Sequence, residues 1–242
     1  MKHVFFLAAA GEGAGLTSVS LGLVRALDRQ RIRVAFCKPI TQNIVPEGGT
    51  EPSTAFIQAT MLQTPPKPIT IQEADDYLRH DRTGDLMELV VEKVSEAGRD
   101  ADVVVVEGLL PAEGRTFNNR LNRMMAASLN AEVILVTTLG DGTPEMLSER
   151  LETAAALYGG LDNPRLIGCI LNKVGTAKPS APAGVVPIVE EADDSAVPHG
   201  HSREESEALL ASIAAETPIF LRGNFNLLGA VPLNHHLQAC RT

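Results

Sequence analysis

Short runs of Val, Ile, Leu and Phe alternate along the chain with longer segments in which apolar residues recur every three or four positions. Continuous apolar runs bounded by turn residues read as strands covered on both faces, whereas the longer period reads as amphipathic helix. The runs are His3–Ala9, Ile32–Lys38, Asp102–Glu107, Glu132–Thr138 and Leu166–Asn172, with a late one near Leu227–Val231. Between them, Leu16, Val19, Leu23 and Leu27 fall on one helical face, Leu86, Val90, Val94 and Ala97 on a second, and Leu147, Leu151, Ala154 and Tyr158 on a third. Thr143 is placed to cap that third helix, with Pro144 at its first position and Glu145 suiting its dipole. Ser202-x-x-Glu205 reads as a capping box opening a last helix through Leu209, Leu210 and Ile213. The alternation predicts an α/β fold, a parallel sheet flanked by helices on both faces.

Two stretches break the rhythm. Residues 43–52 read as a loop leaving the second strand. Residues 175–201, rich in Pro, Ala, Gly and acidic residues, read as a mobile excursion inside one domain spanning 1–242 rather than as a boundary. DRTGD at 81–85 reads as the polar start of the helix at Leu86.

Composition narrows the function. With 242 residues, 44% of them hydrophobic, the chain buries a sizeable core. A net charge of −9 without a Lys/Arg block argues against nucleic acid and anionic membrane as partners. Three widely spaced cysteines make no disulfide framework, and Cys37 and Cys169, inside apolar runs, read as buried thiols. No apolar run reaches the length of a membrane span. Lys2 followed by VFFLAAA imitates a secretory signal, but a buried first strand feeding a glycine turn explains the same residues. The chain reads as cytoplasmic. The pairs His199/His201 and His235/His236 have no further donors at metal-ligand spacing and read as solvated, so no metal site is expected.

The richest chemistry lies in AAAGEGAGLTSVSLG, residues 8–22. A phosphate loop uses glycines to turn its N–H groups toward phosphate oxygens, a lysine to neutralise them and a Ser/Thr to reach Mg²⁺. Gly11, Gly13 and Gly15 supply the turn, and Thr17 and Ser18 the hydroxyls. The lysine position, however, holds Leu16 and the first glycine position Ala10. Losing that lysine removes a charge-assisted contact of roughly 1.5–3 kcal/mol. The loop can cradle phosphate but is poorly equipped to transfer it; a glycine turn that binds nothing is the other reading.

Three further residues end strands at the carboxyl edge, where open α/β sheets bind ligands. Lys38 reads as the cation that position 16 lacks, or as a solvated lysine. Glu107 suits a metal-bound water or a substrate amine, or caps its own loop. Asn172 offers an amide to read a base, in an Asn-Lys pair that alone is a weak signal.

GLTSVSLGLVRAL, CKPITQ, VVVVEGLLP, LNAEVILVTTLGDGTPEML, CILNKV and LLGAVPLN run in an order that resembles the N-terminal P-loop domain of long-form bacterial phosphate acetyltransferase, itself similar to dethiobiotin synthetase. The resemblance covers nearly the whole chain outside 175–201 and includes Leu16. It implies a parent enzyme that interconverts acetyl-CoA plus phosphate with acetyl phosphate plus CoA in acetate metabolism. Middle and C-terminal catalytic domains would follow, and this segment would be a regulatory, homo-oligomerising domain that is not itself catalytic. Its expected ligand is a nucleotide or metabolite effector, and no cofactor is required. By the same resemblance the phosphate-loop positions fall on Gly11, Gly15, Thr17 and Ser18, the strand-two lysine on Lys38, the strand-end glutamate on Glu107 and the base-reading asparagine on Asn172. An aspartate that helps hold Mg²⁺ in the synthetase is expected in EPSTAF, where Ser53 and Thr54 stand instead. An ATP-dependent ligase of the dethiobiotin or cobyrinate type, and a purely structural domain, are the competing readings.

Overall fold

A computed structural model describes residues 3–42, 49–61, 63–111, 117–139, 142–174, 203–222 and 225–232. The segment 175–201, the cap at Ser202, both histidine pairs and Cys240 lie outside the described residues.

β1 (His3–Ala9) leads through the glycine loop into α1 (Leu16–Arg29) and then β2 (Val34–Cys37). A two-residue β3 (Ile40–Thr41), α2 (Pro52–Met61), an equally short β4 (Ile69–Thr70), α3 (Ile71–Arg79) and α4 (Thr83–Ala97) precede β5 (Val103–Glu107). The remainder is α5 (Phe117–Ser128), β6 (Glu132–Thr138), α6 (Pro144–Ala156), β7 (Leu166–Val174), α7 (Arg203–Glu216), a 3₁₀ turn at Pro218–Arg222 and β8 (Asn226–Pro232). Among the described residues, six strands form one sheet in the order β2-β5-β1-β6-β7-β8, with every pairing parallel.

Alternation along the strands divides two cores. Phe6, Ala8, Val104, Val106 and Leu135 pack with Leu86 and Val90 of α4, Leu121 and Met125 of α5 and Leu147 and Leu151 of α6. Leu7, Val103, Val105 and Val136 point the other way, onto Leu16, Val19 and Val24 of α1 and Ile57 of α2. Helices therefore cover both faces, as the continuous apolar runs require. Cys37 and Cys169 are fully buried, and burial pushes the Cys37 thiol up to about 12 and raises Cys169 as well.

The strands lie close to their expected places. β2 is shorter than the apolar run 32–38, and its last neighbour, Lys38, is followed by Pro39, which has no N–H to give a ladder. The free edge of β2 is closed by one side chain: the Gln63 amide donates to Val34 O (2.8 Å) and accepts from Phe36 N–H (3.2 Å). Thr143 caps α6 through Met146 N–H, with Pro144 opening the helix.

Among the described residues α2, α3 and α5 escape the apolar pattern, and the buried faces of α2 and α5 show why. α2 buries Ser53 and Thr54 beside Ile57, and α5 buries Asn118 and Asn122 beside Leu121 and Met125. Polar residues at core positions erase the hydrophobic period. α3 is short, but its start is written in the sequence: Thr70 and Glu73 form a complete capping box. Among the described residues no helix is long and apolar enough to cross a membrane.

Candidate functional site

β1 is central, with β5 on one side and β6 on the other, so the chain leaves the sheet at the switch point between them. The loop that follows turns on Gly11, Gly13 and Gly15, all at positive φ, and Gly15, at φ 71° and ψ 40°, precedes the first turn of α1. Leu16, 1% exposed, points into the core beneath α1. The position that ordinarily reaches out to phosphate here packs inward instead.

Below the loop, four elements bring polar side chains to one buried point. Lys38, from the end of β2, is 4% exposed; its Nζ lies 2.5 Å from Glu107 Oε1 and 3.4 Å from Glu51 Oε1. Glu107 Oε1 also accepts from Thr17 Oγ1 (3.0 Å) and Ser53 Oγ (2.9 Å), while the Thr17 and Ser53 hydroxyls are 3.1 Å apart. Glu51 stands before the first residue of α2, and its Oε2 accepts from Thr54 N–H (2.8 Å) and Thr54 Oγ1 (3.0 Å), capping that helix. Burial opposes the Lys38 charge, but Glu107 and Glu51 outweigh it and hold its pKa above the ordinary lysine value.

Of the residues singled out from the sequence, the structure brings Thr17, Lys38 and Glu107 to one point, and it adds Glu51, which had not been singled out. The resemblance expects an aspartate where Ser53 and Thr54 stand, yet the carboxylate of this segment enters two residues earlier, at Glu51. An acidic residue immediately before Pro at a helix start was the available signal. Ser18 is exposed on α1.

Asn172 and Lys173, at the end of β7, hold the loop itself. Asn172 Nδ2 donates to Ala14 O (2.8 Å), and its Oδ1 accepts from Lys173 N–H (2.9 Å). A Cβ added to Gly15 would collide with that amide. Lys173, at φ 57°, donates from Nζ to Gly13 O (2.6 Å). Across the loop, Arg150 of α6 lies against Gly11 and donates to Thr138 O (2.9 Å). Two cations thus flank a loop that lacks its own, neither of them singled out from the sequence for that place. Beside Gly11 and Arg150 opens a cleft of 490 Å³, walled by Ala10, Pro111, Asn119 and Met146.

A phosphate loop implies a divalent cation held by the loop hydroxyl and nearby carboxylates. Here the Thr17 and Ser53 hydroxyls and Glu107 Oε1 are already bonded to one another, and Ser53 and Glu107 also accept from the Lys38 ammonium. This donor set does not fit the ion. Among the described residues there is no group of three or more His, Cys, Asp or Glu placed to hold a metal.

The family described as an AAA domain matches residues 3–241. The chain is 33% identical over 239 residues to a phosphate acetyltransferase of Nitrosomonas europaea, covering 99% of this chain and 30% of that protein. It is 36% identical over 241 residues to the Pseudomonas putida phosphate acetyltransferase, covering 99% and 31%. It therefore spans about a third of the length of these curated relatives. Among solved structures, a cobyrinic acid a,c-diamide synthase from Mycobacterium smegmatis with bound ATP analog and magnesium aligns at TM-score 0.45 and 17% identity, over 74% of this chain and 75% of that one. The receptor FtsY from Elizabethkingia anophelis in complex with GDP aligns at TM-score 0.49 and 13% identity, over 72% and 49%.

Proposed function

The chain belongs to the AAA-domain family, and on that premise we propose that it is the N-terminal regulatory and oligomerising domain of a phosphate acetyltransferase. In this reading it binds a nucleotide or metabolite at the glycine loop without turning it over. The relatives that share its full length are phosphate acetyltransferases. The observation that carries the absence of turnover is the inward-packed Leu16 above a cluster in which Lys38 is neutralised by Glu51 and Glu107. Phosphoryl transfer depends on cations that spread over the moving charge. One ammonium between two carboxylates leaves that point net negative. The three glycines, Lys173, Arg150 and the adjoining cleft support ligand binding nonetheless. An effector bound there alters the parent enzyme only if it prefers one of its conformations or assemblies.

A purely structural domain is the second reading. Asn172 and Lys173 favour it, because both occupy loop carbonyls as a fixed brace.

The test compares acetyl phosphate formation by the isolated chain, by the polypeptide that carries it with the catalytic domains, and by that polypeptide without residues 1–242. The isolated chain should be inactive. The truncated enzyme should keep residual activity and lose its response to nucleotides. Acetyl transfer by the isolated chain would overturn the proposal, and an effector response that survives truncation would leave only the structural role.

A further inference from the structure

We propose that Lys38 is a resident cation in the place a divalent metal takes under a phosphate loop: the site excludes the metal while that charge is present and accepts one when it is removed. The consequence for the preceding reading is that a phosphate-bearing ligand binds here in its metal-free form. The exclusion itself does not require that any nucleotide bind.

The cluster contains oxygen donors of the kind Mg²⁺ and Mn²⁺ select, carboxylates and hydroxyls on three elements around one point. Thr17 comes from α1, Ser53 from α2 with the capping Glu51 just before it, and Glu107 from β5. Each carboxylate has one oxygen engaged in hydrogen bonds: Glu107 Oε1 takes three donors and Glu51 Oε2 takes two. The other oxygens, Glu107 Oε2 and Glu51 Oε1, are buried without a hydrogen-bond partner, on residues 1% and 2% exposed. Two orphan carboxylate oxygens at such depth are costly unless a positive charge faces them.

Lys38 supplies that charge. Its Nζ lies between the two carboxylates and within 3.5 Å of Ser53 Oγ. A divalent ion ligated by the same oxygens would stand a few ångströms from a buried ammonium, where like charges repel with little screening. One cation is accommodated, and the chain provides it. Removing the ammonium while keeping the volume leaves two carboxylates and two hydroxyls around a space with no cation, which is a binding site for a small hard ion.

The experiment is a Mn²⁺ titration of the 242-residue chain near neutral pH, followed by the loss of the free-ion paramagnetic resonance signal. The wild type should leave the signal as in buffer. Lys38→Met should take up one ion per chain, removing a stoichiometric share of the free-ion signal. Lys38→Arg, which keeps the charge, should behave as wild type, and adding Glu107→Gln to Lys38→Met should abolish uptake. Stoichiometric Mn²⁺ binding by the wild type, or a folded Lys38→Met chain without a site, overturns the proposal. Thermal melts guard against a folding defect. Lys38→Met should be stabilised by Mn²⁺ and the wild type should not, and a variant that remains unfolded in EDTA and in Mn²⁺ alike also counts against the proposal. A parallel ATP titration in EDTA and in Mg²⁺ separates the two readings. Absence of nucleotide binding in both removes the proposed effector site, while the Mn²⁺ result still decides the role of Lys38.

Discussion

Lys38 carries the strongest residue-scale consequence, because among the described residues it is the one ammonium facing Glu51 and Glu107 in a buried cluster. Breaking a buried pair by deleting one partner leaves an uncompensated charge, so Lys38→Ala should cost about 3–5 kcal/mol, read from urea unfolding. A lysine whose folded pKa is raised binds its proton more tightly in the native state. Its contribution is therefore complete below the unfolded value of 10.5 and is lost only as pH rises through the higher folded value. The stability difference between wild type and Lys38→Ala should accordingly not fade between about pH 7 and pH 9. A difference that fades across that range would show that the ammonium is not held as described. Sequence placed this lysine at a strand end but left open whether it faced water. What decides the matter is Glu51, carried in by α2 from thirteen residues away, and such a contact has no local signature.

At the scale of elements, the joint between the glycine loop and the end of β7 is tight. Gly15 has φ 71°, and any Cβ there meets the Asn172 amide. Gly15→Ala should therefore destabilise by at least about 1–3 kcal/mol from backbone strain alone. Part of the remaining cost is steric and belongs to the pair. In an Asn172→Ala background the same glycine substitution should cost less, with a coupling of about 0.5–3 kcal/mol in a double-mutant cycle. Strict additivity would mean that a Cβ at position 15 does not press on the Asn172 amide. This geometry also explains why the asparagine was hard to assign from the chain alone. A strand-end amide suggests a group offered to a ligand, yet here Nδ2 and Oδ1 both bond to backbone. α2 and α5 show the same effect on whole helices. Their buried faces include Ser53, Thr54, Asn118 and Asn122, and Asn122 clamps both N–H and C=O of Leu109 after β5. The polar residues that shape the carboxyl edge of the sheet are those that hide these helices from a search for apolar period.

For the whole molecule, a loop without its lysine and a cluster with net negative charge predict a chain that does not hydrolyse ATP. With Mg²⁺ and ATP, phosphate release should not exceed that of buffer, measured across a series of protein concentrations. Release proportional to protein that persists through repurification would favour the ligase reading. Leu16→Lys should not restore turnover, because the cations needed at the site are set by Glu51, Glu107 and Lys38 rather than by position 16 alone. Substituting a buried leucine (1% exposed) also places an amine against the core of α1 and the sheet.

The α/β class, the places of the six described sheet strands, the glycine loop between β1 and α1, and the absence of its lysine can be read from the chain alone. All of these are written in residues near one another, as continuous apolar runs, turn glycines and a helix start. Tertiary structure decided the strand order, which follows from how crossovers pack and not from any single segment. It also decided that Lys38 is enclosed by two carboxylates, that Asn172 and Lys173 brace the loop, and that Arg150 lies against Gly11. Those outcomes depend on distances between side chains far apart in sequence, such as the 157 positions separating Asn172 from Gly15. Whether a charge is paired or a donor engaged is fixed only when the sheet brings its strand ends together.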